Sequence, residues 1–78
     1  MRLLVVDDDR ALRDVLRRAL SLSGYDIRLA QSGADALAEI AASVPDAVVL
    51  DVGLPDLDGL EVCRLLRREG NRVPVLML

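Results

Sequence analysis

The sequence predicts an α/β fold built on an open parallel sheet, and three observations carry that prediction. Three short apolar runs, residues 3–6, 47–50 and 73–78, lack the polar alternation of a half-exposed strand, so they read as strands covered on both faces. Segments with apolar residues at helical spacing lie between the strand-like runs, so strand and helix alternate along the chain. Two of the runs stop abruptly at aspartates, Asp7 and Asp51.

Residues 3–6 form β1 and end in Asp7-Asp8-Asp9. Asp9 can N-cap α1, in which Leu12, Val15, Leu16, Ala19 and Leu20 recur at helical spacing until Gly24 offers a left-handed stop. Residues 26–30 alternate polar and apolar and suit a short strand near a sheet edge, β2. Ser32 followed by Asp35 resembles a capping box, after which Ala34, Leu37, Ala38, Ile40 and Ala41 mark α2, a small-residue helix ending before Pro45.

Residues 47–50 form β3 and stop at Asp51 as β1 stops at Asp7. Residues 52–57 carry Gly53 and Pro55 and read as a loop, and Asp58 with Glu61 three residues on signals the start of α3. Leu60, Val62, Cys63, Leu65 and Leu66 supply the apolar side of α3, and Gly70-Asn71 ends it. Residues 73–78 form β4, where Pro74 is tolerable only near the strand start.

Strand-helix-strand units in succession imply right-handed crossovers, the hand of about 98% of such connections. Because β1 and β3 are apolar without alternation, helices must cover both faces, so one crossover reverses direction across the sheet. A topological switch point follows, and ligands of open α/β sheets bind there, at the carboxyl ends of the strands. At 78 residues the chain holds one compact domain, and a domain this small buries only about 60% of its unfolded surface. Modest stability is expected.

Composition removes several function classes. No apolar run approaches the roughly 20 residues needed to cross a bilayer, and the N-terminus enters a strand without a signal-peptide pattern, so a cytoplasmic location is expected. The formal charge of −3 lacks the basic footprint of a nucleic-acid binder, and any DNA contact is expected to come from outside this segment. All ten basic residues are arginine, which excludes a P-loop lysine, a Schiff base, a Ser-His-Asp triad and histidine metal ligands. The lone Cys63 cannot form an internal disulfide and reads as a small buried side chain. What remains is carboxylate chemistry.

With β1 and β3 as neighbours, roughly 5 Å apart, Asp7, Asp8 and Asp51 crowd together at the strand ends. Like charges in one cleft repel, so either some stay protonated or a cation neutralises them. An all-oxygen set with open positions suits Mg²⁺, which keeps several waters.

At this point a resemblance becomes specific. Leu4-Val5-Val6-Asp7-Asp8, then Val49-Leu50-Asp51, then Leu54-Pro55-Asp56-Leu57-Asp58-Gly59 is similar to the receiver domains of two-component response regulators, over the whole chain. The resemblance implies a flavodoxin-like fold with sheet order 2-1-3-4. It implies Asp51 as the residue phosphorylated by a histidine kinase and Asp7, Asp8 and Asp51 as Mg²⁺ ligands, joined by the backbone carbonyl of Gly53. Pro55 and Gly59, four and eight residues beyond Asp51, would shape the following loop. It implies a phosphoacceptor module rather than an enzyme with a substrate of its own, one that catalyses at most its own phosphorylation.

A receiver ordinarily continues past β4 with a Ser or Thr, then α4, a β5 ending in Lys, and α5. Residues 1–78 contain none of these, so they are expected to be a partial receiver domain that lacks the switch even if Asp51 is modified. The unpaired apolar edge of β4 is then expected to drive self-association.

Other readings of the same residues compete. Asp9 and Asp58 read as helix caps. Arg10, Arg13 and Arg17 share a helical face that reads as solvated, although α1 of a receiver helps dock the kinase, and Asp14–Arg18 is a favourable i,i+4 pair. Tyr25 reads as a packing residue at the entrance to β2. Asp7 and Asp9 could instead be the Asp-x-Asp pair of a haloacid-dehalogenase-type phosphatase, but Arg10 and Ala11 fit that motif poorly and Asp51, Pro55 and Gly59 are left unexplained. A structural fragment without activity is the third possibility.

Overall fold

A computed structural model describes all 78 residues. The elements follow as β1 (Arg2–Val6), α1 (Arg10–Leu22), β2 (Asp26–Ala30), α2 (Gly33–Ala42), β3 (Ala47–Leu50), α3 (Gly59–Arg68) and β4 (Val75–Met77). The strands form one parallel sheet in the order β2-β1-β3-β4, the flavodoxin-like order implied by the resemblance. The crossover through α1 runs outward to β2, and the crossover through α2 returns past β1 to β3, which puts the switch point between β1 and β3.

Alternation along the strands divides the sheet into two faces. Leu4 and Val6 of β1 lie level with Val48 and Leu50 of β3 and face α2 and α3, where Ala36, Ile40, Val62 and Leu66 complete a closed core. The opposite face carries Leu3 and Val5 with Ile27 and Leu29 beside them, and α1 lies over the β1–β2 half of it. The expectation of helices on both faces is met, but the two faces are unequally covered. None of the apolar residues predicted for α1 is buried, and Val15 remains 61% exposed.

The helix ends follow the chemistry read from the sequence. Asp9 accepts hydrogen bonds from the Ala11 and Leu12 N–H groups, Ser32 from that of Asp35, and Asp58 from that of Glu61. Gly24 turns the chain out of α1 with φ +93°.

Other expectations are corrected. β4 is shorter than the predicted 73–78, because Pro74 has no N–H to give and contributes only its carbonyl, which accepts from Val48 N–H at 2.9 Å. Tyr25, expected as a packing residue, is only partly covered, 37% exposed at the entrance to the edge strand β2. Cys63 is half-buried on the flank of α3. Asp14 and Arg18 form no ion pair, and the pairs present are Arg28–Glu39 and Glu61–Arg64. No helix is long and apolar enough to cross a membrane.

Candidate functional site

The switch point gathers the acids. Parallel pairing continues one residue past each strand, with Asp7 N–H donating to the Ala30 carbonyl at 3.1 Å and Asp51 N–H to the Val6 carbonyl at 3.0 Å. Asp7 and Asp51 are thereby held level at the carboxyl end of β1 and β3, with Asp8 one step further on. One carboxylate oxygen from each of Asp7, Asp8 and Asp51 lies within 4.8 Å of the others, at a site that grades from buried Asp7 through half-buried Asp51 to exposed Asp8.

This donor set fits a small hard cation. The separation of its carboxylate oxygens is of the order that oxygens sharing one Mg²⁺, each bound at about 2.1 Å, would require. The exposed side at Asp8 leaves positions for water or an anionic oxygen.

Local hydrogen bonds orient the acids. The Asp7 carboxylate accepts from Asp9 N–H at 2.9 Å, and the Asp51 carboxylate accepts from Gly53 N–H at 3.1 Å. Gly53, expected to offer its carbonyl, therefore sits directly against Asp51. Gly59 begins α3 where an added Cβ would stand 2.9 Å from the Asp51 carbonyl oxygen and 3.0 Å from Val52 Cα, so only glycine lets the helix start so close to the strand end. Its N–H donates to the Val52 carbonyl at 3.0 Å, closing the loop. Pro55 lies exposed on that loop, next to buried Leu54, which anchors it in the core.

Two contacts were not foreseen in the sequence. Arg13, expected on a solvated face, is half-buried, and its Nη1 donates to the Asp7 carbonyl at 2.6 Å. Its distance of six residues from Asp7 was the available signal, since the first turn of α1 folds back over the end of β1. The second is Asp56, whose two carboxylate oxygens accept from Gly33 N–H at 2.8 Å and Ala34 N–H at 2.9 Å. These donors, Ala34 first, hold its carboxyl below the ordinary aspartate value. No sequence signal marks a bond spanning more than twenty residues from a loop to another helix. Asp9 caps α1 with one carboxylate oxygen, as its reading as a helix cap expects.

An open α/β sheet with an acidic triad at its switch point presents a candidate cation site between β1 and β3, where ligands of such sheets bind. The chain belongs to the response regulator receiver domain family, whose model matches residues 3–78. It is 62% identical over 78 residues to the response regulator MprA of Mycolicibacterium vanbaalenii and 60% identical to that of Mycobacterium avium, covering all of this chain and 34% of each relative. The chain thus spans about a third of the length of the curated relatives it matches.

Solved structures agree. The receiver domain of a Francisella response regulator superposes with a TM-score of 0.95 at 30% identity, over 97% of this chain and 63% of that one. The response regulator TrrA of Thermotoga maritima, solved in complex with Mg²⁺ and BeF, superposes with a TM-score of 0.87 at 34% identity, over 97% of this chain and 64% of that one. The family match sets aside the phosphatase reading.

Proposed function

We propose that the chain is the phosphoacceptor part of a two-component response regulator, in which Asp51 takes a phosphoryl group from a histidine kinase. The observation that carries this reading is the convergence of the Asp7, Asp8 and Asp51 oxygens within 4.8 Å at the switch point of a receiver fold. An Asp51 carboxylate oxygen attacks the phosphorus of the donor's phosphohistidine. The P–O bond forms as the P–N bond breaks, leaving a mixed anhydride on Asp51 and the imidazole on the donor. The chain needs no histidine for this, because the donor supplies it.

Asp7, Asp8 and Asp51, with the Gly53 carbonyl, would hold Mg²⁺. When bound, the ion neutralises the charge that gathers on the phosphoryl oxygens during transfer. The ion in the TrrA complex supports this assignment by analogy. The residues themselves set the geometry: Gly53 N–H and the pairing of β3 with β1 orient Asp51, and Asp9 N–H and Arg13 hold Asp7. The module has no substrate to turn over and at most catalyses its own modification.

Residues 1–78 are read as part of a receiver domain, in keeping with their coverage of about two thirds of the solved receiver domains. In the whole protein the output is transcription regulation in the cytoplasm, through a DNA-binding part outside this segment. A polypeptide of these 78 residues alone is expected to self-associate along β4, whose outer edge pairs with no strand and where Leu76 is 62% exposed. A monodisperse monomer in light scattering contradicts that expectation.

The test of the central reading is intact mass after incubation with acetyl phosphate and Mg²⁺. The chain gains one phosphoryl group, and Asp51→Asn gains none. Labelling that survives Asp51→Asn removes Asp51 from the role, and label mapped to Asp7 returns the phosphatase reading.

A further inference from the structure

The loop of residues 52–58 carries the Gly53 peptide, and its fastenings differ in kind. At one end Gly59 N–H closes on the Val52 carbonyl, and in the middle Leu54 sinks into the core. These belong to the loop's own neighbourhood or to apolar packing, joined by a long bond of 3.5 Å from Val52 N–H to the Leu78 carbonyl just past β4. Asp56 alone reaches a different helix with directional bonds, through both carboxylate oxygens to the Gly33 and Ala34 N–H groups that open α2.

The two surfaces also meet without a gap. A Cβ on Gly33 would stand 2.8 Å from Leu57 Cβ and 3.0 Å from Val62 Cγ2, so the start of α2 rests directly on the loop. Ser32 already caps the Asp35 N–H, leaving Gly33 and Ala34 as the first-turn donors that Asp56 satisfies. A carboxylate there is also favoured by the positive end of the helix dipole.

We propose that Asp56 is a positioning residue: by bonding the first turn of α2 with both oxygens, it fixes the 52–58 loop and keeps the Gly53 peptide against Asp51. This rests on reading Asp7, Asp8, Asp51 and Gly53 as a Mg²⁺ site. Outer residues that orient ligands typically change metal affinity 10- to 100-fold when removed, and one loop bond belongs at the low end of that range.

The experiment compares Asp56→Ala, Asp56→Asn and Ser32→Ala with the unaltered chain, each checked for folding by circular dichroism. Ser32→Ala is the control, because it weakens the α2 start without cutting the tie to the loop. Without metal, hydrogen exchange at the Gly53 amide is expected to accelerate about tenfold in Asp56→Ala and to hold in Ser32→Ala. Mg²⁺ titration is expected to show affinity about tenfold weaker in Asp56→Ala, an intermediate value in Asp56→Asn, which keeps one acceptor oxygen, and a change under twofold in Ser32→Ala. If Asp56→Ala does not fold, Asp56→Asn carries the comparison.

Equal Mg²⁺ affinity and Gly53 exchange in the Asp56 variants and the unaltered chain overturn the proposal. So does a loss in Ser32→Ala as large as that in Asp56→Ala, which would reduce the effect to helix stability. A chain that binds no Mg²⁺ at all fails at the site itself, a result distinct from failure of Asp56 and one that brings down both.

Discussion

The two faces of the sheet are made from the same strands yet hold their helices differently. On one face α2 and α3 bury Ala36, Ile40, Val62 and Leu66 against Leu4, Val6, Val48 and Leu50. On the other, α1 lies over buried Leu3 and Val5 but has no buried residue of its own, and it reaches only the β2–β1 side, leaving Leu76 of β4 exposed. The difference teaches that amphipathic spacing shows which side of a helix seeks cover without showing how much cover it finds. It also divides labour at the site. The loop after β3 grows from the packed face, whereas Asp7 and Asp8 lead into the thinly held helix and depend on polar ties such as Arg13.

The sharpest way to break this comparison is to make the same truncation on both faces. Leu66 is buried in the closed core, and Leu66→Ala is expected to destabilise by about 3 kcal/mol, as lost transfer energy and a cavity combine. Leu12 is already exposed, so Leu12→Ala is expected to cost about 0.5 kcal/mol. Urea midpoints measure both. Equal losses would mean that the α1 face is covered in solution, and the natural cover to look for is a second copy.

A smaller effect separates close contact from backbone conformation. Gly59→Ala forces Cβ to within 2.9 Å of the Asp51 carbonyl oxygen, and the displacement of strand against helix is expected to cost about 2 kcal/mol. Gly24→Ala meets no atom within 4 Å, but φ +93° is strained for alanine, at about 1 kcal/mol. Only Gly59→Ala should also weaken Mg²⁺ binding, since only it moves Asp51. Unchanged metal affinity in Gly59→Ala would show that the start of α3 does not position the acid.

Much of this was legible because it depends on local chemistry. Apolar runs ending in Asp7 and Asp51 located the strand ends, and Asp9, Ser32 and Asp58 located the helix starts. The triad was legible because parallel neighbours place their last residues side by side, a consequence of register rather than of side-chain detail. What escaped was of two kinds. Asp56 bonds a helix remote in sequence, and nothing near Asp56 names its partner. The half-buried state of Arg13 and the exposure of Tyr25 depend on what lies over α1 and β2, which periodicity does not encode.

The caps offer the next comparison, because α1 and α3 both begin at an aspartate. Asp9→Ala and Asp58→Ala each remove a side-chain acceptor worth about 1 kcal/mol at a helix start. The consequences should differ in reach. Helix α3 is welded to the core through Val62 and Leu66, so its loss of a cap is expected to lower global stability and the protection of slow-exchanging amides. Helix α1 has no buried side chain, and Asp9→Ala is expected to fray its first turn locally. Amide exchange distinguishes them, and global loss from Asp9→Ala would show α1 to be more firmly seated than its burial indicates.

The smallest effects lie in charges along the packed face, and their sign is fixed by the direction of their titration. The Ala34 and Gly33 N–H donors lower the Asp56 carboxyl, and the hydrogen bond from Arg64 lowers that of Glu61. A group depressed in the folded state binds fewer protons there than in the unfolded chain, so stability rises with pH across the interval between the two values. Each contribution is complete above the ordinary carboxylate value and is lost as pH falls through the lower, folded value. The difference in urea midpoint between the unaltered chain and Asp56→Asn should therefore be widest near neutrality and narrow in acid. Glu61→Gln should show the same trend more weakly and lose it in high salt, because the Glu61–Arg64 pair is exposed and screened. Asp56 bonds to backbone N–H groups, so its difference should persist in salt. A difference for Asp56→Asn that widens in acid would mean that its bonds to α2 do not favour the charged form, which would undo the contrast between a structural carboxylate and a solvated one.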